Sequence, residues 1–183
     1  MKKFLRLFTS IAVVSLLCFV VTSTADARLP TSFEDYKLQA KEGAKTPEGT
    51  VLLWLEGCIL YSQPQTRTLG RDILVDITDK LPKDFEKNAA HSTFVNRLKT
   101  EPQTFRSYCK GATPENGYKT DLDKCELTVT KSEEDPGGGW QVHIKSNGAD
   151  TPRKLTLTKG KEGNWKIVSY PGLYMGVRPI VKE

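Results

Sequence analysis

The chain lacks the short motifs that mark common hydrolases and redox proteins. It has no G-x-S-x-G elbow, no H-E-x-x-H pair and no C-x-x-C pair. A Cys–His nucleophile would need Cys58 or Cys109 beside His91, and nothing in their spacing suggests that arrangement. These absences argue against a serine hydrolase, a zinc protease and a disulfide oxidoreductase of the usual kinds. From the sequence we assign no catalytic residue, no metal ligand and no cofactor.

The chain also lacks a run or stripe of basic residues. Its formal net charge is +5, and residues of both signs are interspersed along it. The first 27 positions hold three basic residues and one acidic residue, so the remainder carries a net charge of +3. Domains that bind nucleic acid concentrate positive charge on one face. We therefore predict that nucleic acid is not a partner.

The long apolar run that the sequence does have lies at its start. Lys2, Lys3 and Arg6 precede an apolar stretch over residues 7–21, and the small-x-small sequence Ala25-Asp26-Ala27 follows it. This order is typical of a secretory signal peptide. We predict that residues 1–27 are the signal and residues 28–183 a single exported domain, periplasmic or extracellular. No later segment is long and apolar enough to predict a membrane span after cleavage.

Cysteine is scarce, and three cysteines remain after residue 27. An odd number leaves at least one thiol free within a monomer. Cys109 and Cys125 flank a turn-rich loop, so we expect them to form the disulfide. Cys58 lies in an apolar run and is expected to be a small core residue.

The first half of the domain shows helical patterns over residues 32–41, 47–62, 66–80 and 83–98. Thr46-Pro47-Glu48 combines an N-cap, a proline at the first helical position and an acid in the first turn. The helix body that follows is apolar nearly all round, which is typical of a central, covered helix. Glu56 is its polar exception. It is either partly exposed, or paired with an arginine such as Arg153 or Arg178, or a carboxylate with a raised pKa at the base of a pocket.

The second half alternates apolar and polar residues over 125–130, 140–145, 154–159 and 164–170. One apolar and one polar face is the pattern of an antiparallel sheet covered on one side. Helices followed by such strands predict an α+β domain in which N-terminal helices pack on one face of a C-terminal sheet. The order is compatible with a cystatin-like or nuclear-transport-factor-like sheet cupping a helix.

The loop over residues 146–153 has the most distinctive sequence of turn-forming and charged residues in the chain. Asn147-Gly148 favours a turn, and Pro152 stiffens the segment that carries Asp150 and Arg153. One interpretation is that Asp150 caps the turn and Arg153 pins a neighbouring loop. The other is that the pair faces an anionic ligand or a partner protein.

Two motifs resemble an uncharacterised bacterial domain family. They are S-Y-x-x-G-A-T-P-x-N-x-Y, over residues 107–118, and G-A-D-x-P-R, over residues 148–153. Thr46-Pro47-Glu48-Gly49, Trp165 and Val177-Arg178-Pro179 fit the same pattern. The chain departs from it at Gly117, where a second Asn is expected, and at Lys154, where Pro is expected. The family brings no known activity, so the resemblance supports the fold and does not assign chemistry.

Three functions stay open from the sequence. The first is a non-catalytic binding module of the cell envelope or exterior, with a protein or a small molecule as its ligand. The second is a small enzyme with a pocket between the sheet and the central helix. The third is a domain whose recognisable residues serve only folding. For the first two, the candidate binding residues are Glu56, Tyr118, Asp150 and Arg153.

Overall fold

The computed structural model describes residues 28–182, and the predicted signal peptide lies outside them. The first helices begin where the sequence supplies caps. Helix α1 spans Phe33–Gly43, and the Ser32 hydroxyl accepts a hydrogen bond from the Asp35 amide. Helix α2 spans Pro47–Ser62, and the Thr46 hydroxyl accepts one from the Gly49 amide. Both caps satisfy amide groups that the first helical turn leaves free.

Three further helices follow before the sheet. Helix α3 spans Arg67–Ile77, α4 spans Ser92–Thr100 and the short α5 spans Gln103–Arg106. Two 3-10 turns, Phe85–Lys87 and Ala89–His91, occupy much of the region predicted as helix before α4. Within residues 28–182, no helix combines the length and apolarity needed to cross a bilayer.

The sheet is an antiparallel meander of four strands in chain order. The strands are β1 (Val129–Glu134), β2 (Trp140–Ile144), β3 (Arg153–Lys159) and β4 (Trp165–Ser169). Val142 pairs with Leu155, and Leu157 pairs with Ile167, so these apolar side chains share one face. The predicted α+β class, with helices before an antiparallel sheet, is confirmed.

The first strand corrects the sequence prediction. We predicted a strand over residues 125–130, whereas β1 covers Val129–Glu134, and Leu127 forms only an isolated bridge with Cys109. β1 is an edge strand and carries mostly charged or polar residues. Charge on an edge strand discourages pairing with other chains. Because most residues of β1 are polar or charged, β1 lacks the alternation of apolar and polar residues from which a strand is predicted.

Helix α2 lies at the centre of the core. It contacts helices α1, α3, α4 and α5 and strands β1, β2 and β4. Trp54 is fully buried in it, and its indole N–H donates a 3.1 Å hydrogen bond to the Thr78 hydroxyl. Cys58 is a buried free cysteine, as predicted.

Cys109 and Cys125 form a disulfide, which confirms the predicted pairing. The bond closes a loop with a sequence separation of 16 residues and joins the end of the helical half to the stretch before β1. Both cysteines are buried, so the crosslink belongs to the core.

We predict that the double variant C109S/C125S loses about 3 kcal/mol of unfolding free energy, because its unfolded chain regains the entropy of the open loop. Urea denaturation measures the loss. A reducing agent should destabilise the native chain by a similar amount and leave the double variant unchanged. Equal unfolding midpoints for the native and double-variant chains would contradict the prediction.

Candidate functional site

Tyr118 holds the C-terminal segment, residues 175–182, in place. Its side chain is buried, its backbone has a φ of 56°, and its hydroxyl donates a 2.7 Å hydrogen bond to the Arg178 carbonyl. The loop before it is organised by Asn116, whose side-chain oxygen accepts from the Thr113 amide and whose amide group donates to the Gly111 carbonyl. A positive φ at a tyrosine is costly, so its surroundings must hold it. These contacts assign Tyr118 to the fold.

The loop between β2 and β3 packs directly on Tyr118. A Cβ atom at Gly148 would lie 2.2 Å from the Tyr118 hydroxyl oxygen and 2.7 Å from Val177 Cγ1, so only glycine fits. Next to it, the hydroxyl oxygens of Ser107 and Ser146 lie 2.8 Å apart in the interior. The two loops that carry the family motifs, residues 107–118 and 146–153, therefore interlock with the C-terminal segment.

Arg153 also contacts the C-terminal segment. Its guanidinium donates to the Gly176 carbonyl at 3.1 Å and to the Thr151 hydroxyl at 3.2 Å. Arg153 therefore pins the neighbouring C-terminal segment, as the first of the two interpretations of this loop predicted. Asp150 is exposed, and within residues 28–182 it makes no hydrogen bond or ion pair. The prediction that Asp150 caps the turn is therefore wrong, since the turn forms without its carboxylate.

Glu56 is buried, with 2 % of its surface exposed. Burial is the main cause that raises its pKa, to about 8, while the charge of Arg28 acts to lower the pKa and that of Asp35 to raise it. Its Oε2 atom has no hydrogen-bond partner among the described residues. The alternatives of a partly exposed Glu56 and of one paired with Arg153 or Arg178 are wrong. Glu56 is buried, and the two arginines donate instead to the Gly176 and Asn147 carbonyls.

Asp76, which the sequence did not single out, is the centre of a polar cluster. Its carboxylate accepts a 2.7 Å hydrogen bond from the Tyr36 hydroxyl and pairs with Lys37 at 3.2 Å and Lys166 at 3.7 Å. Partial burial acts to raise the Asp76 pKa, but the Tyr36 hydrogen bond and the two lysines outweigh burial and hold the pKa below its ordinary value. The cluster ties α1 and β4 to the end of α3.

Two surface grooves meet at Asp76. The first, of about 630 Å³, is lined by residues of α1 and α3 and by Lys83. The second, of about 580 Å³, lies between α1 and the turn joining β3 to β4, and we call it the lysine groove. Four lysines line the lysine groove: Lys37, Lys41, Lys161 and Lys166. Glu56 lines neither groove, so it does not lie at the base of either one.

The lysine groove also has an apolar side. Trp165 is half-buried there, next to Ala40 and Ala44, and its backbone amide donates a 2.7 Å hydrogen bond to the Ala44 carbonyl. Two acidic residues, Asp76 and Glu162, accompany the four lysines. The groove can accept an apolar group beside an anionic one. Among residues 28–182, no three acidic, histidine or cysteine side chains gather as a metal site would require.

The sequence carried little signal for the lysine groove. Tyr36 and Asp76 are 40 residues apart, and Asp76 and Lys166 are 90 apart. Each lies on an element with an ordinary polar face, where a single charged residue is unremarkable. Only the packing of α1, α3 and β4 brings them together.

We predict that Gly148→Ala destabilises the fold by about 1 to 3 kcal/mol, because the added methyl group meets the Tyr118 ring and Val177. Gly137→Ala is the matched control. A Cβ atom there meets only Asp135 Oδ1, at 3.4 Å, so the change should stay within about 0.5 kcal/mol. Urea denaturation of both variants measures the difference. Equal stability of the two variants would show that the interlock does not constrain Gly148.

Comparison with known proteins gives a family and no further relative. The chain matches no curated protein and no solved structure. Residues 28–181 match the family described as Domain of unknown function (DUF6935). The match covers nearly the whole described structure, including the helices, the sheet and the interlocked loops. The chain therefore belongs to this family, the Domain of unknown function (DUF6935).

Proposed function

We propose that the chain is an exported, non-catalytic binding module of the cell envelope or exterior, and that the lysine groove binds an anionic ligand with an apolar portion. The observation that carries the binding proposal is the pair Lys41 and Lys161 beside the half-buried Trp165. Within the described residues, neither of these two lysines forms an ion pair.

Export is supported by two independent features. The basic, apolar and small-residue order over residues 1–27 is that of a signal peptide. The Cys109–Cys125 disulfide belongs to the kind of bond that persists in oxidising compartments outside the cytosol.

The charge of the lysine groove favours an anion. Lys37 and Lys166 form ion pairs with Asp76, so Lys41 and Lys161 are the groove lysines left to face a ligand. Its volume of about 580 Å³ is within the range of small-molecule sites. Trp165 and the neighbouring alanines supply apolar contact area, so a ligand with an aromatic or aliphatic body gains from both parts.

The positions of the reactive groups support a binding role without catalysis. Burial raises the pKa of the Cys58 thiol well above its ordinary value, and a buried thiol of this kind is inert. The motif residues Tyr118 and Arg153 donate hydrogen bonds to the Arg178 and Gly176 carbonyls of the C-terminal segment. The groups that face the lysine groove are amines and carboxylates suited to recognition by charge.

We predict that aryl carboxylates and aryl phosphates shift the NMR signals of Lys41, Lys161 and the Trp165 indole. The double variant Lys41→Glu/Lys161→Glu should weaken this binding about tenfold, since two attractions become repulsions. Lys99→Glu/Lys145→Glu changes the net charge equally at exposed positions outside both grooves and should leave affinity nearly unchanged.

Two results would overturn the groove as the binding site. One is a probe set that shifts no signal of the groove residues in the native chain. The other is an equal loss of affinity in the groove variant and in the control, because affinity would then follow net charge and not position.

A further inference from the structure

The first groove at Asp76, which we call the Phe33 groove, has no part in the ligand site proposed above. Two half-buried side chains, Phe33 and Val75, give it an apolar side. Lys83 is exposed at the same groove, and among residues 28–182 it forms no ion pair. The Phe33 groove therefore has the same two parts as the lysine groove, an apolar side and a lysine without an acidic partner.

The other charges of the Phe33 groove are balanced. Arg71 and Asp72 form an ion pair at 2.9 Å. Asp76 pairs with Lys37 at 3.2 Å and with Lys166 at 3.7 Å. The charge left without an opposite partner in this groove is thus positive, as in the lysine groove. A ligand that gains from both grooves is therefore anionic as well as partly apolar.

Helix α1 lines both grooves. Phe33 belongs to the Phe33 groove, whereas Lys37 and Lys41, four and eight residues further on, belong to the lysine groove. Residues four apart are neighbours on one side of a helix, and the Lys37 ammonium nitrogen lies 5.9 Å from the centre of the Phe33 ring. Asp76 of α3 also lines both grooves. The two grooves therefore lie end to end along α1.

The junction of the two grooves is polar. The Tyr36 hydroxyl donates to the Asp76 carboxylate at 2.7 Å, and the Lys37 and Asp76 side chains keep 51 % and 26 % of their surface exposed. A continuous aliphatic chain laid across the junction would cover these charged groups without bonding them, which is costly. A peptide carries a donor or an acceptor at every residue. It can cross the junction and still place an apolar side chain in each groove.

We propose that the two grooves together form one elongated site, and that its occupant is an extended, acidic segment of a partner protein with an apolar side chain for each groove. The proposal rests on the proposed binding function of the lysine groove, to which it adds the second groove and the class of ligand. Phe33 and Lys41 are about 12 Å apart along the helix axis, a distance that about four residues of an extended peptide cover. Side chains four residues apart point to the same side of an extended chain, so both can enter the grooves.

The test compares two synthetic peptides of identical composition and charge. In the spaced peptide, two aspartate–phenylalanine pairs are separated by two serines, so the phenylalanines are four residues apart. In the compact peptide, the pairs are adjacent and the serines follow them. The spaced peptide should bind the native chain about tenfold more tightly by calorimetry, because its second pair binds as part of the same molecule. It should shift the NMR signals of Val75 and Lys83 as well as those of Lys41 and the Trp165 indole.

Lys83→Glu tests the Phe33 groove separately. It should remove most of the gain of the spaced peptide, because an attraction at one end of the site becomes a repulsion. Aryl carboxylates should keep their affinity for the lysine groove within about twofold, since exposed charges far apart are screened by salt. Lys87→Glu is the matched control. It makes the same change in charge at an exposed residue outside both grooves and should keep the full gain.

Equal affinity of the two peptides for the native chain would overturn the elongated site, and this comparison does not depend on any variant. If aryl carboxylates still bind the lysine groove in that case, the proposed binding function stands and only its extension fails. If neither the peptides nor the aryl anions shift any groove signal, both fail. Vesicles containing phosphatidylglycerol are the alternative probe. Signals of both grooves that respond to these vesicles and not to the spaced peptide would assign the surface to an anionic membrane and overturn the peptide as occupant.

Discussion

The burial of helix α2 is the constraint on which the rest of the structure depends. Its body is apolar on every side, so leaving any side in water would forfeit much of the free energy that drives folding. Four helices and three strands contact it, and no single neighbour could cover it. Elements from both halves of the chain must therefore close around it, and Glu56 is enclosed with it.

Closing the chain around α2 explains what the motif residues do. The loops over residues 107–118 and 146–153 meet each other and the C-terminal segment through Tyr118, Gly148 and Arg153. These three motif residues are thus committed to the fold, whereas the motif residue Asp150 is exposed. On the part of the chain that the structure describes, the lysine groove lies apart from these contacts and places lysines without ion pairs next to apolar area.

Features that depend on residues close together in the sequence could be predicted, whereas contacts between distant elements could not. Helix α2 has its predicted bounds because Thr46-Pro47 and the apolar body are local signals, and the Cys109–Cys125 pair was expected from the loop between the two cysteines. β1 was misplaced because a charged edge strand shows no alternation. Glu56 could be recognised as unusual, but the sequence did not indicate its burial, which is the main cause of its raised pKa. The Asp76 cluster joins α1, α3 and β4, and the polar residues of each element taken separately do not indicate a cluster.

The central claim is that the motif arginine, Arg153, serves the fold while the groove lysines without ion pairs, Lys41 and Lys161, do not. The most direct measurement is the unfolding free energy of Arg153→Ala beside Lys161→Ala. Arg153→Ala should cost about 1 to 3 kcal/mol, because it removes charged hydrogen bonds to the Gly176 carbonyl and the Thr151 hydroxyl. Lys161→Ala should change stability by no more than about 0.5 kcal/mol, since that side chain is exposed. An unchanged stability of Arg153→Ala would contradict the account and return the loop over residues 146–153 to the candidate binding surfaces.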